Sequence, residues 1–245
     1  MAIRIAMWSG PRNISTALMR SWGSREDTTV VDEPLYAFYL KETGREHPGR
    51  EAILKSQPTD WQEVALQLTG PVPEGKTIYY QKHMAHHLLP EVDLDWLMDP
   101  SFRHAFLIRE PRAMLTSLAR VVTDPRIEDT GLPQQVELFE KIRDNSGKIP
   151  PVIASRDVLQ NPEAMLGTLC SALEVPFDPS MLFWKAGPRE TDGVWAEHWY
   201  ANVEESTTFG PPRDEFPQVS SALEPVLEVC LEHYRFLHRH RLIVG

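Results

Sequence analysis

Ile3-Arg4-Ile5-Ala6-Met7-Trp8-Ser9-Gly10-Pro11-Arg12-Asn13-Ile14-Ser15-Thr16-Ala17-Leu18-Met19-Arg20-Ser21-Trp22 is the stretch on which the fold turns. Ile3, Ile5 and Met7 alternate with Arg4 and Ala6 at the period of a strand, while Ile14, Leu18 and Trp22 recur at helical spacing. The linking loop, Ser9 to Thr16, is short and polar. A strand that feeds a helix through such a loop aims unpaired backbone N–H groups and the positive end of the helix dipole at one point. Arg12, Ser15 and Thr16 add side-chain donors there, so the loop reads as an anion site with phosphate as the first candidate. A Walker loop requires a second glycine followed by Lys-Ser/Thr, and both are missing. An ordinary strand-to-helix turn with a solvated arginine is the plain alternative.

Working outward, the 245 residues with 42% apolar content suit one large domain, 1–245, with a real core. A formal charge of −10 argues against a protein that coats nucleic acid or an anionic membrane, so any anion site has to be built locally. The two cysteines, Cys170 and Cys230, fall on apolar helical positions and do not make a disulfide framework. No apolar run approaches membrane-spanning length, and the N-terminus enters a strand at once. The expected address is the cytoplasm.

Thr28–Val31 is a β-branched run ending in Asp32-Glu33-Pro34, with Pro34 suited to the first turn of a helix carrying Leu35, Phe38 and Tyr39. Glu33 therefore stands at a strand end, where ligands collect in open α/β sheets; a helix-capping carboxylate is the alternative. Residues 41–60 are polar and turn-rich, and Thr59-Asp60-Trp61-Gln62 reads as a capping box. Thr77–Gln81 is the next strand, followed by Lys82-His83-Met84-Ala85-His86-His87. No cysteine or acidic partner stands at ligand spacing from these histidines, so no metal is expected, and His86 and His87 read as surface or capping residues. His104–Ile108 is a further strand, running through Arg109 into a helix that carries Ser117, seven residues intervening. An arginine fork and a hydroxyl suit a second phosphate.

Residues 123–135 read as loop, Val136–Asn145 as a helix stopped at Gly147, Val152–Ser155 as the last strand, and Asn161-Pro162 as the start of a packed helix. Residues 184–217 are loop rich in aromatic side chains, expected to fold over a ligand, and Val219–Leu242 is a closing helix. Strands and helices alternate throughout, which predicts an α/β fold: a doubly wound parallel sheet with helices on both faces.

Pro11, Arg12, Asn13, Ile14, Ser15 and Thr16 resemble the 5′-phosphosulfate loop of the P-loop sulfotransferases, which runs Pro-Lys/Arg-Ser-Gly-Thr-Thr, with Asn13 and Ile14 departing from it. Glu33-Pro34 resembles the Glu-Pro of heparan-type members, whose glutamate is the general base. Lys82-His83 resembles the Lys-Thr-His of cytosolic members, except that here the histidine follows the lysine directly. Arg109 and Ser117 match the pair used on the donor's 3′-phosphate, and Gly193-Val194-Trp195-Ala196 resembles the C-terminal nucleotide loop with its lysine replaced by Ala196.

The resemblance implies a P-loop NTPase-like sulfotransferase fold using 3′-phosphoadenosine 5′-phosphosulfate, without metal, to sulfate a small-molecule acceptor. It places Arg12, Glu33, Lys82 and His83 in catalysis, with Glu33 and His83 competing for the role of base. Pro11 to Thr16, Arg109, Ser117 and Trp195 fall to the donor. A P-loop kinase or hydrolase with magnesium on Asp32, and a non-catalytic nucleotide-binding protein, are the alternatives.

Overall fold

The computed structural model describes residues 2–212 and 217–244, so a small part of the 184–217 loop, 213–216, lies outside the described residues. Strand β1 (Ile3–Ser9) leads into α1 (Ser15–Trp22), then β2 (Thr28–Asp32) and α2 (Tyr36–Thr43). Two helices follow, α3 (Arg50–Ser56) and α4 (Trp61–Thr69), before β3 (Ile78–Met84) and β4 (Phe102–Ile108). Next come α5 (Pro111–Leu118), α6 (Leu132–Ser146), β5 (Val152–Ala154), α7 (Ser155–Gln160) and α8 (Pro162–Ala172). Two short turns of helix, α9 (Ala196–Trp199) and α10 (Ala201–Glu204), precede the closing α11 (Glu224–His238).

The strands form one five-stranded sheet in the order β2-β3-β1-β4-β5, and every pairing is parallel. Alternation along the strands splits the core in two. Ile5, Met7, Ile78, Tyr80, Ala105 and Leu107 pack on α1, α2 and α8, whereas Ala6, Trp8, Tyr79, Phe106 and Ile108 pack on α4, α5, α6 and α11. Helices thus cover both faces. From β1 the chain turns outward to β2 on one side, and from β4 it turns outward to β5 on the other. The carboxyl ends of β1 and β4 therefore flank the point where the winding reverses, the place where such sheets hold ligands.

Several boundaries differ from the sequence expectation. Helix α3 interrupts the stretch 41–60, held by its single fully buried residue Ile53. The cap of α4 is Asp60, not Thr59: its carboxylate accepts from the N–H groups of Gln62 and Glu63. Helix α6 starts at Leu132 because Gly131, at φ 70°, turns the chain into it, and α11 is shorter at both ends than 219–242.

Gly10 marks a close approach. A Cβ at this position would stand 2.3 Å from the Thr130 carbonyl oxygen, a backbone atom. Gly10→Ala is expected to lower stability by about 1–3 kcal/mol, the cost of forcing atoms into a packed contact. Urea denaturation measures it, and an unchanged midpoint would contradict the close packing.

Candidate functional site

A cleft of about 1170 Å³ opens at the carboxyl end of the sheet, lined by Pro11 to Thr16, Glu33, Lys82, Arg109 and Ser117. At its β1–β4 side the loop after β1 is tied down from several directions. Arg12 adopts the left-handed backbone region at φ 56°, a conformation that costs an L-residue energy and recurs at functional sites. Its Nε donates to Ser117 Oγ at 3.0 Å, and Arg109 donates to its carbonyl oxygen. Asn13 bridges the loop to β4, its Nδ2 donating to the Leu107 carbonyl at 3.2 Å while its Oδ1 accepts from Ile14 N–H at 2.9 Å. Ile14, where the family pattern has glycine, sits at φ −90°, so no glycine is needed there. Arg12 takes the unusual backbone angle instead.

No side chain caps the start of α1, and its first turn carries no acidic residue. Arg12 forms no ion pair with a carboxylate among the described residues. Burial and the neighbouring Arg120 both lower its pKa below the ordinary arginine value. Uncapped amides and an unneutralised guanidinium leave a local surplus of positive character on a chain that is acidic overall.

The β2–β3 side is built differently. Asp32 and Lys82 are register partners on adjacent parallel strands, so both side chains leave on one face and meet at 2.8 Å. Glu33, the next residue, should point the opposite way; its φ of 40° breaks the alternation and brings its carboxylate back to Lys82 Nζ at 2.6 Å. Tyr200 completes the group. Lys82 Nζ donates to its hydroxyl at 2.6 Å, and that hydroxyl donates to Asp32 Oδ2 at 2.7 Å. Trp195 Nε1 donates to the Tyr200 hydroxyl at 3.1 Å and Gly193 N–H to Asp32 Oδ2 at 3.1 Å.

All three directions of the ammonium are thus satisfied, and its two carboxylates and the hydroxyl hold its pKa well above the ordinary lysine value against the opposing effect of burial. Burial, reinforced by Asp32, raises the Glu33 pKa above the usual carboxylate value even though Lys82 pulls the other way. Both oxygens of Asp32 are engaged by protein donors, Oδ1 by Lys82 and Oδ2 by Tyr200 and Gly193. The magnesium position considered for Asp32 is therefore taken up by an ion pair.

Two of the named residues lie elsewhere. His83 is one step along β3 from Lys82 and so faces the opposite side of the sheet. Its ring stacks on Trp8 with centroids 4.2 Å apart, its Nε2 meets Gln81 Oε1 at 3.1 Å, and burial pushes its pKa down to about 3. It does not line the cleft, which corrects the expectation that it competes with Glu33. Trp195 is 1% exposed and also absent from the lining; it packs edge-on to Tyr36 and steadies Tyr200. Trp199, half-buried, is the wall in its place, with the Arg12 guanidinium 5.9 Å from its ring centroid. His86 and His87, read as surface or capping residues, are buried at 8% and 1% exposure and line the cleft with Tyr36 and Tyr39.

Asp32 and Tyr200 had no role as partners of Lys82 in the sequence. The Asp32 contact follows from strand register, but Tyr200 comes from 118 residues further along the chain, and no local spacing signals it.

A family model described as "Sulfotransferase domain" matches residues 3–240. Two Arabidopsis thaliana proteins are similar over nearly all of the chain. "Branched-chain-amino-acid aminotransferase-like protein 2" is 36% identical over 239 residues, covering 96% of this chain and 41% of that protein. "Branched-chain-amino-acid aminotransferase-like protein 1" is 38% identical over 237 residues, covering 96% and 42%. The chain spans about two-fifths of the length of these curated relatives.

Among solved structures, the sulfotransferase domain of the Synechococcus PCC 7002 olefin synthase superposes with a TM-score of 0.61 at 17% identity, over 96% of this chain and 95% of that one. A sulfotransferase from Alicyclobacillus acidocaldarius gives a TM-score of 0.59 at 13% identity, over 99% and 98%. At these identities the structural matches speak to the fold.

Proposed function

This chain belongs to the sulfotransferase domain family, and on that premise we propose that it moves a sulfuryl group from 3′-phosphoadenosine 5′-phosphosulfate to a hydroxyl or amine of a small-molecule acceptor. The observation that carries the proposal is the convergence of Arg12, Ser117 and Arg109 beside the uncapped start of α1, with no carboxylate paired to Arg12 among the described residues. A donor with two phosphates would have to open the present contacts among them, since Arg12 is bonded to Ser117 and Arg109 to the Arg12 carbonyl. Arg12, Ser15, Thr16 and the α1 amides would hold the phosphate at the transferred end, and Arg109 with Ser117 the other. When bound, the donor supplies an activated sulfuryl group on a phosphate leaving group.

By analogy with phosphoryl transfer, the protein's share is to align the reactants and offset charge that builds on the leaving side. Arg12 would take the second task. Glu33, lining the cleft, would accept the acceptor's proton. Lys82 holds Glu33 in place and, by its charge, keeps the ionised form accessible despite burial. A contact from Lys82 to an incoming oxygen would have to replace one of its three present partners, of which Glu33 and Tyr200 line the cleft.

The binding test is a thermal-shift comparison of adenosine 3′,5′-bisphosphate with ATP–Mg. A larger stabilisation by the bisphosphate supports the proposal, and a larger one by ATP–Mg returns the chain to the kinase reading. A proton-accepting Glu33 also fixes a pH dependence. Its carboxyl must be ionised to work and its pKa is raised, so kcat should fall as pH drops through a point above the ordinary glutamate range near 4.3. Glu33→Gln should lose most of kcat and flatten that acid limb. An acid limb that survives in the variant would assign the base elsewhere.

A further inference from the structure

Among the described residues Lys82 is the one cation that contacts Asp32 or Glu33, and it contacts both. Two carboxylates against one ammonium leave this interior cluster one negative charge in excess. Neighbouring strand residues point to opposite faces, so two successive carboxylates reach one lysine only because Glu33 takes the left-handed backbone region at φ 40°. Such a turn costs an L-residue energy and recurs at functional sites. It is pinned from both sides: Glu33 N–H donates to the Lys82 carbonyl at 2.9 Å, and the Glu33 carbonyl accepts from Tyr36 N–H at 3.0 Å and from Gln57 Nε2 at 3.2 Å.

The direction of each hydrogen bond fixes where the protons sit. The ammonium only donates, and it spends its three N–H groups on Asp32 Oδ1, Glu33 Oε1 and the Tyr200 hydroxyl. The Trp195 indole also only donates and points at the same hydroxyl, so the tyrosine's own proton goes to Asp32 Oδ2. Gly193 N–H donates to that oxygen too. Asp32 is thus met by donors alone, the arrangement an ionised carboxylate takes. Glu33 accepts from Lys82 and from no other donor among the described residues, and it lines the cleft. A further proton has one place to go.

The titratable groups packed against the cluster add no charge to it. Burial raises the pKa of Tyr36 from α2, Tyr80 from β3 and Tyr200, and lowers that of His87, so all four are neutral near pH 7. Arg12, Arg45, Glu46 and Asp129 line the same cleft without bonding to either carboxylate. Burial raises the Glu33 pKa, Lys82 opposes the rise and Asp32 adds to it.

We infer that Asp32 is a positioning residue for the reaction: as the second, fully bonded carboxylate on Lys82 it keeps the cluster one negative charge in excess, and Glu33 relieves that excess by taking the acceptor's proton. The inference rests on the transferase reading above. The proton passes from the acceptor's oxygen or nitrogen to Glu33, the freed electron pair forms the bond to sulfur, and the bond from sulfur to the leaving phosphate breaks with its pair on that phosphate. One lysine facing one glutamate would be neutral before the proton arrived, and its carboxylate a weaker base.

Asp32→Asn removes the charge and keeps the shape. The Glu33 carboxyl is followed by carbon NMR of protein carrying isotope-labelled glutamate, without donor or acceptor, its signal identified by its loss in Glu33→Gln. In the parent it should titrate above the ordinary value of about 4.3. In Asp32→Asn it should titrate about one unit lower or more. The acid limb of kcat should move down with it, and the plateau should fall about three- to tenfold because the base is weaker. Tyr200→Phe takes a contact from the cluster and no charge, so it should shift the titration by less.

A parent titration at or below the ordinary value overturns the inference, even where the variants fail to fold. So does a titration that Asp32→Asn leaves in place or moves upward, the direction expected if Lys82 is merely loosened. An equal shift in Tyr200→Phe, or an acid limb that stays while the titration moves, overturns it as well. Absence of sulfuryl transfer by the parent condemns the transferase reading instead, since the titration alone still reads the hold of Asp32 on Glu33.

Discussion

Lys82→Ala is expected to cost about 3–5 kcal/mol of stability, because it leaves two carboxylates in the interior without their cation. The Lys82 side chain is 1% exposed, and Asp32 and Glu33 are at 2% and 11%. Removing the ammonium also strips the Tyr200 hydroxyl of a donor, which loosens the contact between β3 and the segment carrying α9 and α10. Urea denaturation at neutral pH measures the loss.

The sign of its pH dependence follows from the same cause. Without Lys82, the buried Glu33 carboxyl holds its proton more tightly folded than unfolded, because the attraction that offsets its burial is gone. Its folded pKa then rises further in the direction it already takes. A group raised in this way favours the folded state at low pH and loses that benefit as pH climbs through its folded pKa. The gap between variant and parent should therefore narrow as the solution is acidified below the raised Glu33 value. A variant as stable as the parent at neutral pH would show that the cluster does not hold the site together.

Arg12→Ala is expected to reduce turnover by about 10²–10³-fold, the usual loss when one donor aimed at developing charge is removed. Arg12 is only partly buried and its side chain contacts Ser117 and lies over the ring of Trp199, so the fold should survive. The unfolding midpoint should stay near the parent's while kcat falls and adenosine 3′,5′-bisphosphate binds more weakly. Parent-like binding and turnover would mean that the β1 loop is not the anion site.

The two ends of the cleft were unequally legible. Arg12, Arg109 and Ser117 could be read because each sits at a fixed offset from a strand end, and parallel winding brings the ends of β1 and β4 together. Glu33 and Lys82 were readable for the same reason. His83 was misplaced because strand-end position does not say which face a residue takes, and one step along β3 reverses it. Trp195 was named for its likeness to a nucleotide loop, but a large ring in the turn before a short helix is as easily drawn into the core. The buried histidines behind Glu33 escaped because burial depends on what α2 lays over them, and no periodicity in Ala85-His86-His87 reports that.

By itself the sequence determined the alternation of strand and helix and the position of the β1 loop, Arg109 and Ser117 at one end of the sheet, since those depend on periodicity and offsets within one or two neighbouring elements. Tertiary structure alone decided that Glu33 turns back to Lys82, that Tyr200 closes the cluster and that a wall of rings from Tyr36, Tyr39, His86 and His87 stands beside it. Strand register, a left-handed backbone turn and contacts across 118 residues are set only when the sheet is assembled and the later chain packs over it.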